Sequence, residues 1–263
     1  MKRKQLFLSE KLLILLTLVL LASCGSKPRE KLHIATAANM QFAMEALTQA
    51  FTATTDIACE SIISSSGKLT AQITEGAPFD VFVSADLKYP QALVDAQLTD
   101  GPVRVYAYGQ LVLWTQKAAL DPSTMALTKE EVRHIAMANP KTAPYGMAAA
   151  QVLAYYQLTD AVQPKLVFGE SIAQTNQFII SQAAEIGFTA RSVVEAPIVT
   201  NKGRWLTLPN ESYEPIAQGV VVLMGDEEKV KQARQFADFL FTAEAKAIMA
   251  KYGYLVPDNM QLQ

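Results

Sequence analysis

The chain has few of the residues that build metal centres and disulfide scaffolds. Its 263 residues include two cysteines and two histidines, so the sequence predicts neither a zinc framework nor a disulfide-stabilised fold. Glycine and proline, 12 of each, are in ordinary proportion, which excludes collagen-like and low-complexity architectures. The formal net charge of −2 shows no basic excess, so we expect no nucleic-acid partner. Half of the residues are hydrophobic, which is enough to bury a core without a metal or a disulfide.

A run of apolar residues long enough to span a membrane is also missing from the N-terminal region. Residues 12–21 are apolar apart from Thr17, but a transmembrane helix needs about 20 such residues. Because the run follows the basic residues 2–4, it is typical of the hydrophobic core of a signal peptide.

The segment directly after this run, Leu-Ala-Ser-Cys at residues 21–24, resembles the lipobox of bacterial lipoproteins. The resemblance implies cleavage before Cys24 and attachment of lipid to Cys24. An ordinary secretory signal, with Cys24 incidental, is the alternative. We expect residues 1–23 to be a lipoprotein signal peptide and residues 24–31 a lipid-anchored linker. Removal of residues 1–23 takes away four basic residues and one acidic residue, so the exported part would carry a net charge of −5.

From residue 32 onward, short β-rich runs alternate with segments of helical periodicity, which favours a parallel α/β sheet. Two extended segments, residues 103–114 and 216–224, are long enough to cross from one sheet to another. We therefore predict two doubly wound α/β lobes joined by two crossover segments. The first lobe would comprise residues 32–108 and 221–263, and the second residues 109–220. Thr128 and Glu131 form a capping-box pattern that predicts a helix through Ala136.

Four segments lie where ligands bind in open α/β sheets, between a strand and the N-terminus of a helix. They are residues 37–39, 64–67, 143–146 and 170–172. Backbone N–H groups at helix N-termini attract anions, so the four together could form an anion site without a cationic side chain. Each segment alone is more often a structural cap than a ligand site, and Asn39 in particular is placed as the N-cap of the first helix.

The order of several motifs resembles that of the periplasmic molybdate-binding proteins of ABC importers, over nearly the whole chain after Lys31. These motifs are Ala-Thr-Ala-Ala-Asn at 35–39, Ser-Ser-Gly-Lys-Leu at 65–69, Gly-Ala-Pro-Phe-Asp-Val-Phe-Val-Ser-Ala-Asp at 76–86, Ala-Asn-Pro-Lys-Thr-Ala-Pro-Tyr-Gly at 138–146 and Tyr-Gly-Tyr at 252–254. The resemblance implies the type II periplasmic binding fold, in which two lobes close on a tetrahedral oxyanion. It further implies a monomer without cofactor or enzymatic activity, located at the extracytoplasmic face of the cell envelope, with molybdate or tungstate as ligand and an ABC importer permease as partner.

Carried over position by position, the resemblance places oxyanion ligands at Asn39, Ser66, Tyr145 and Ile172, which would hold the molybdate oxyanion. Tyr145 and Ile172 would contribute mainly backbone N–H groups, and Ala38 is a further backbone donor. Some family members place a tyrosine hydroxyl in the site where this chain has Ala190, so that donor is absent here.

Three other functions fit the residues less well: a hydrolase, an envelope scaffold, and a lipoprotein that binds another small solute. For a hydrolase, His33 and His134 lack a nucleophile motif or a metal-spaced partner nearby. We expect Asp80 and Asp86 to have turn or packing roles. A scaffold would show no thermal shift with oxyanions. Titration with a panel of ligands would distinguish a lipoprotein that binds another small solute from a molybdate-binding protein.

Overall fold

Two five-stranded sheets organise the part of the chain that the computed structural model describes, residues 30–199 and 202–257. The strands are β1 (Leu32–Ala37), β2 (Cys59–Ser64), β3 (Val81–Val83), β4 (Arg104–Gly109), β5 (Leu111–Thr115), β6 (Ile135–Ala138), β7 (Leu166–Gly169), β8 (Ile186–Ala190), β9 (Arg204–Thr207) and β10 (Ile216–Val222).

Helices connect the strands and cover the sheets. They are α1 (Gln41–Thr55), α2 (Ser66–Thr74), α3 (Lys88–Asp95), α4 (Pro144–Tyr155), α5 (Thr159–Val162), α6 (Ile172–Ile180), α7 (Arg191–Val194), α8 (Glu227–Phe239) and α9 (Ala243–Lys251). Short 3-10 helices occur at Ala38–Met40, Thr124–Thr128, Gln163–Lys165 and Asn210–Ser212.

The two sheets share one plan. The first has the order β2-β1-β3-β10-β4, with β1, β2 and β3 parallel and β10 antiparallel to both of its neighbours. The second has the order β7-β6-β8-β5-β9, with β6, β7 and β8 parallel and β5 antiparallel to both of its neighbours. The predicted parallel pairing is therefore confirmed for three strands of each sheet. In each sheet the antiparallel strand is one that adjoins a crossover between the sheets.

The first crossover is as predicted, and the second is not. The chain changes sheet at Gln110, between β4 and β5. The second change lies between β9 and β10, because β10 pairs along its length with β3 and β4 of the first sheet. The expected crossover at residues 216–224 is therefore wrong, and the expected lobe boundary after residue 220 falls inside a strand of the first sheet. An apolar extended run has the same pattern whether it crosses or stays within a sheet.

The C-terminal helices return to the first sheet, as the sequence indicated. Phe236 of α8 and Met249 of α9 are fully buried in the same apolar cluster as Leu32 of β1 and Leu47 of α1. Burial of an aromatic side chain and several aliphatic ones removes a large apolar area from water, which fixes these helices against the sheet.

The helix predicted through Ala136 is wrong. Residues 135–138 form β6, a central strand of the second sheet, and Thr128 instead ends a short 3-10 helix. All four residues of β6 are buried, so its sequence Ile-Ala-Met-Ala lacks the alternation that marks a strand with one exposed face. Tertiary burial on both faces therefore outweighed the capping-box pattern.

Candidate functional site

A small cavity lies between the two lobes, at the carboxyl ends of strands from both sheets. This is the position at which open α/β sheets bind ligands. Its walls contain no charged side chain among the residues that the structure describes there. The lining residues are Ala37, Ala38, Asn39, Ser65, Ser66, Ala85, Ala143, Pro144, Tyr145 and Ile172.

The cavity brings together all five residues at which the resemblance predicts contacts with an oxyanion. Asn39 and Ala38 follow β1, Ser66 begins α2 after β2, Tyr145 lies in the first turn of α4, and Ile172 begins α6 after β7. All five are at most 4% exposed. Cys24, the expected lipidation site, lies outside the described residues.

Ser66 is oriented as a donor by the backbone of the first lobe. The N–H of Ala85, in the loop that follows β3, donates to Ser66 Oγ at 3.0 Å. A serine hydroxyl has one hydrogen and two lone pairs, so accepting this bond leaves the hydrogen free for another acceptor. The first N–H groups of α2 also lack partners within the helix. This corner of the cavity therefore presents donors.

Asn39 does not cap the first helix, contrary to the sequence prediction. It lies inside the short 3-10 helix Ala38–Met40, and its side chain makes no capping bond. Its Nδ2 donates instead to Gln218 Oε1 at 3.0 Å and to Tyr254 Oη at 2.9 Å. Its Oδ1 is buried without a hydrogen-bond partner among the described residues.

Tyr145 joins the second lobe to a strand of the first. Its Oη accepts a hydrogen bond from Gln218 Nε2 at 3.1 Å, and the side chain is 2% exposed. Burial raises the pKa of Tyr145 well above its usual value, so the phenol stays neutral. Its backbone N–H occupies the second position of α4, where a helix has no internal acceptor for it.

Ile172 offers only its backbone to the cavity. It is the first residue of α6, and the preceding Ser171 caps this helix by accepting from the Gln174 N–H at 3.4 Å. The Ile172 N–H therefore lies at the positive end of the helix dipole, where an anion is favoured.

A buried polar network beneath the cavity was not predicted from the sequence. Gln218, fully buried in β10, accepts from Tyr106 Oη at 2.7 Å as well as from Asn39, and donates to Tyr145. The Tyr254 hydroxyl donates to the Asn39 carbonyl oxygen at 2.9 Å. A glutamine inside the apolar run Ile216–Val222 was the available signal, because an amide is buried only where partners satisfy it.

Gly109 allows this network to form where the chain crosses between the lobes. A Cβ at this position would collide with Tyr145 Oη and would lie 2.5 Å from Gln218 Nε2. The crossover backbone therefore passes directly against the side chains that join the two lobes.

Contacts also join the lobes at the mouth of the cavity. Lys68 of α2 forms a salt bridge with Glu170 of the second lobe at 2.5 Å, and both side chains are exposed. Two hydrogen bonds lie beside it: the Gly67 N–H donates to the Thr142 carbonyl at 2.9 Å, and Tyr89 Oη donates to the Lys141 carbonyl at 2.9 Å.

Residues considered for hydrolase chemistry have structural roles. Asp80 accepts from the His33 N–H at 2.6 Å, and Asp86 accepts from the Tyr89 N–H at the start of α3 at 3.2 Å. His134 precedes β6 rather than lying on a helix, and its N–H donates to buried Glu185 at 2.8 Å. Within the described ranges, no cluster of three histidine, cysteine or acidic residues could hold a metal ion.

Burial raises the pKa of the Cys59 thiol to about 11, so the thiol stays protonated. Cys59 packs beside the core of the first lobe.

No helix within residues 30–199 and 202–257 is long and apolar enough to cross a membrane.

Two α/β lobes that meet over a buried, uncharged cavity lined by helix N-termini define a two-lobed binding protein of the type II periplasmic class. Residues 32–255 match the bacterial extracellular solute-binding proteins, and the chain belongs to this family.

Molybdate-binding proteins of other bacteria are similar to this chain. A molybdate-binding protein of Azotobacter vinelandii is 37% identical over 236 residues, which cover 89% of this chain and 93% of that protein. One from Rhodobacter capsulatus is 40% identical over 191 residues, covering 72% and 74%. The solved periplasmic molybdate-binding protein of Azotobacter vinelandii superposes with a TM-score of 0.82 at 36% identity, covering 86% of this chain and all of that one. All three are named as binding proteins and none as an enzyme.

Proposed function

We propose that this protein captures molybdate between its two lobes, accepts tungstate as a second ligand, and delivers the oxyanion to the permease of an ABC importer. The observation that carries the proposal is the uncharged cavity to which both lobes contribute helix N-termini, with Asn39, Ser66, Tyr145 and Ile172 on its walls. Molybdate would be the transported ligand and not a cofactor. The names of the relatives support this choice of anion.

Neutral donors can hold a dianion when several of them converge. A hydrogen bond from a neutral donor to an ionised oxygen is stronger than one between neutral partners. The backbone N–H groups of Tyr145 and Ile172 would bind from the second lobe, and the Ser66 hydroxyl, the Asn39 amide and the Ala38 N–H from the first. Because donors come from both lobes, binding would draw the lobes together by a hinge motion.

For Asn39 to donate its side chain to the anion, its amide must be turned relative to the orientation described above. A joint turn of the Asn39 and Gln218 amides preserves the network if the Tyr254 hydroxyl then donates to Asn39 Oδ1 instead of the Asn39 carbonyl oxygen. That carbonyl oxygen keeps the Ser192 hydroxyl as a donor at 2.8 Å. Gln218 Nε2 would then donate to Asn39 Oδ1 and Tyr106 Oη, and the Tyr145 hydroxyl would donate to Gln218 Oε1. Amide oxygen and nitrogen occupy nearly the same space, so this exchange needs no movement of the backbone.

Calorimetric titration of the purified protein with molybdate, tungstate, sulfate and phosphate tests the proposal. We expect tight binding of molybdate and tungstate. Sulfate should bind more weakly, because a smaller anion contacts only part of the donor shell. Hydrogen phosphate brings a proton that needs an acceptor, at a cost of roughly 1–3 kcal/mol if none is met. Stronger binding of sulfate or phosphate would identify a different oxyanion carrier, and no binding of any anion would reject the proposal.

The same proposal places the protein as a lipid-anchored monomer on the extracytoplasmic face, with Cys24 as the lipidated residue. The support is the position of Cys24 directly after a small-residue pair and a ten-residue apolar run. Cys24→Ser should release the chain from membranes or block its processing, measured by fractionation of cells. Unchanged membrane attachment of this variant would contradict the anchor and leave the ligand proposal intact.

A further inference from the structure

Ser65 is a cavity residue whose hydroxyl the fold does not use. It is 3% exposed, it lines the cavity, and its Oγ is buried without a hydrogen-bond partner in the described part of the chain. Buried hydroxyls nearly always have a partner, so a hydroxyl without one requires an explanation.

Helix capping, the ordinary role of a serine at this position, does not account for Ser65. Its backbone has the extended conformation of an N-cap, with φ −72° and ψ 149°, directly before α2. An N-cap serine normally accepts from an N–H two or three residues further on. The Ser65 side chain makes no such bond, although Ser123 and Ser171 do so at their own helices.

The neighbouring serines show that the position of Ser65 is particular. Ser66 accepts from the Ala85 N–H and so has a partner in the protein. Ser64 ends β2, is half-buried, and is not among the cavity-lining residues. Of the three, Ser65 alone combines a place on the cavity wall with a buried hydroxyl that has no partner in the described chain.

We propose that the Ser65 hydroxyl is an additional hydrogen-bond donor to the bound tetrahedral oxyanion, beside Ser66. This inference rests on the proposed function. It assigns two adjacent side-chain hydroxyls of the first lobe to the ligand and explains why Ser65 forgoes its cap. Without ligand the hydroxyl is a cost to stability, and with ligand it acquires an acceptor oxygen.

The test is a matched series of Ser64→Ala, Ser65→Ala and Ser66→Ala, measured by calorimetric titration with sodium molybdate and by thermal unfolding with and without the anion. We expect Ser65→Ala to weaken binding about tenfold, as the loss of one hydrogen bond to an ionised group does. Its melting temperature without molybdate should equal or exceed that of the unaltered protein, because no protein hydrogen bond is lost. Ser64→Ala should bind normally.

Two results would overturn the inference. One is normal affinity in Ser65→Ala together with weakened binding in Ser66→Ala. The other is a lower melting temperature without ligand and normal affinity, which would indicate a capping role. Ser65→Gly, which also removes the hydroxyl and suits an N-cap, should reproduce the loss of affinity and guards against an effect peculiar to alanine. Failure of the unaltered protein to bind any oxyanion of the panel would instead reject the proposed function, and this inference with it.

Discussion

The two walls of the cavity differ in which part of the residue faces the ligand space. The first lobe contributes polar side chains, those of Asn39, Ser65 and Ser66. The second contributes Ala143, Pro144, Tyr145 and Ile172, of which only Tyr145 has a polar side-chain group, and its hydroxyl is engaged by Gln218. The first wall can therefore be altered by ordinary side-chain substitution, whereas the second can be altered only through its backbone.

The largest effect on affinity is expected from Ser66→Ala in the first wall. Loss of a hydrogen bond to an ionised oxygen costs roughly 1.5–3 kcal/mol, or about 10- to 100-fold in molybdate affinity. The buried Ala85 N–H also loses its acceptor, so the protein without ligand should be less stable by about 1 kcal/mol. Titration calorimetry and denaturant unfolding check the two parts. An affinity within twofold of the original would show that the first wall does not bind through this side chain.

Ile172→Pro attacks the second wall through its backbone. Proline removes the N–H but is accommodated at the first position of a helix, and Ser171 already has the extended conformation that proline requires before it. We expect about a tenfold loss of molybdate affinity, from the loss of one hydrogen bond to an anion.

Ile172→Ala is the matched control, since it shortens the side chain and keeps the N–H. It should lower stability but change affinity little. Equal losses of affinity in the two variants would show that the side chain matters and that the contrast between the walls is false.

Tyr145→Phe separates the side chain of the second wall from its backbone. The N–H is kept, so affinity should change by less than about threefold. The Gln218 amide loses its acceptor in a buried setting, which should lower the free energy of unfolding by about 1–3 kcal/mol. A large loss of affinity at unchanged stability would place the phenol against the ligand and would contradict this division of roles.

The smallest effect is expected from Lys68→Ala at the cavity mouth. The Lys68–Glu170 ion pair joins the lobes, but both partners are exposed, and such pairs contribute about 0–1 kcal/mol. Molybdate affinity should fall by less than about fivefold, and the difference should shrink at high salt. Lys231→Ala, an exposed lysine on α8, serves as the control. If Lys68→Ala were the most damaging of these variants, a cation and not a neutral donor set would hold the anion.

Distance along the chain explains which site residues could be found from the sequence. Ser66, Tyr145 and Ile172 lie in the first turns of helices that follow strands, and such segments are recognisable because an extended run changes to helical periodicity there. The resemblance to the molybdate-binding proteins then singled out the individual residues. Gln218 and Tyr254 were missed as network members because they lie far from these segments in the chain. The contacts that give them a role, Gln218 to Asn39 and Tyr254 to Asn39, span 179 and 215 residues.

The same distinction between local and distant information holds for the fold. Alternating strands and helices and the segments at the helix starts are properties of short stretches of chain, so the sequence by itself determined the α/β class, the two lobes and the position of the candidate site. Burial and strand pairing depend on residues that are distant in the chain. Only the tertiary structure therefore decided that residues 135–138 form a strand, that β10 stays in the first sheet, and that the Asn39 side chain joins a buried network instead of capping a helix.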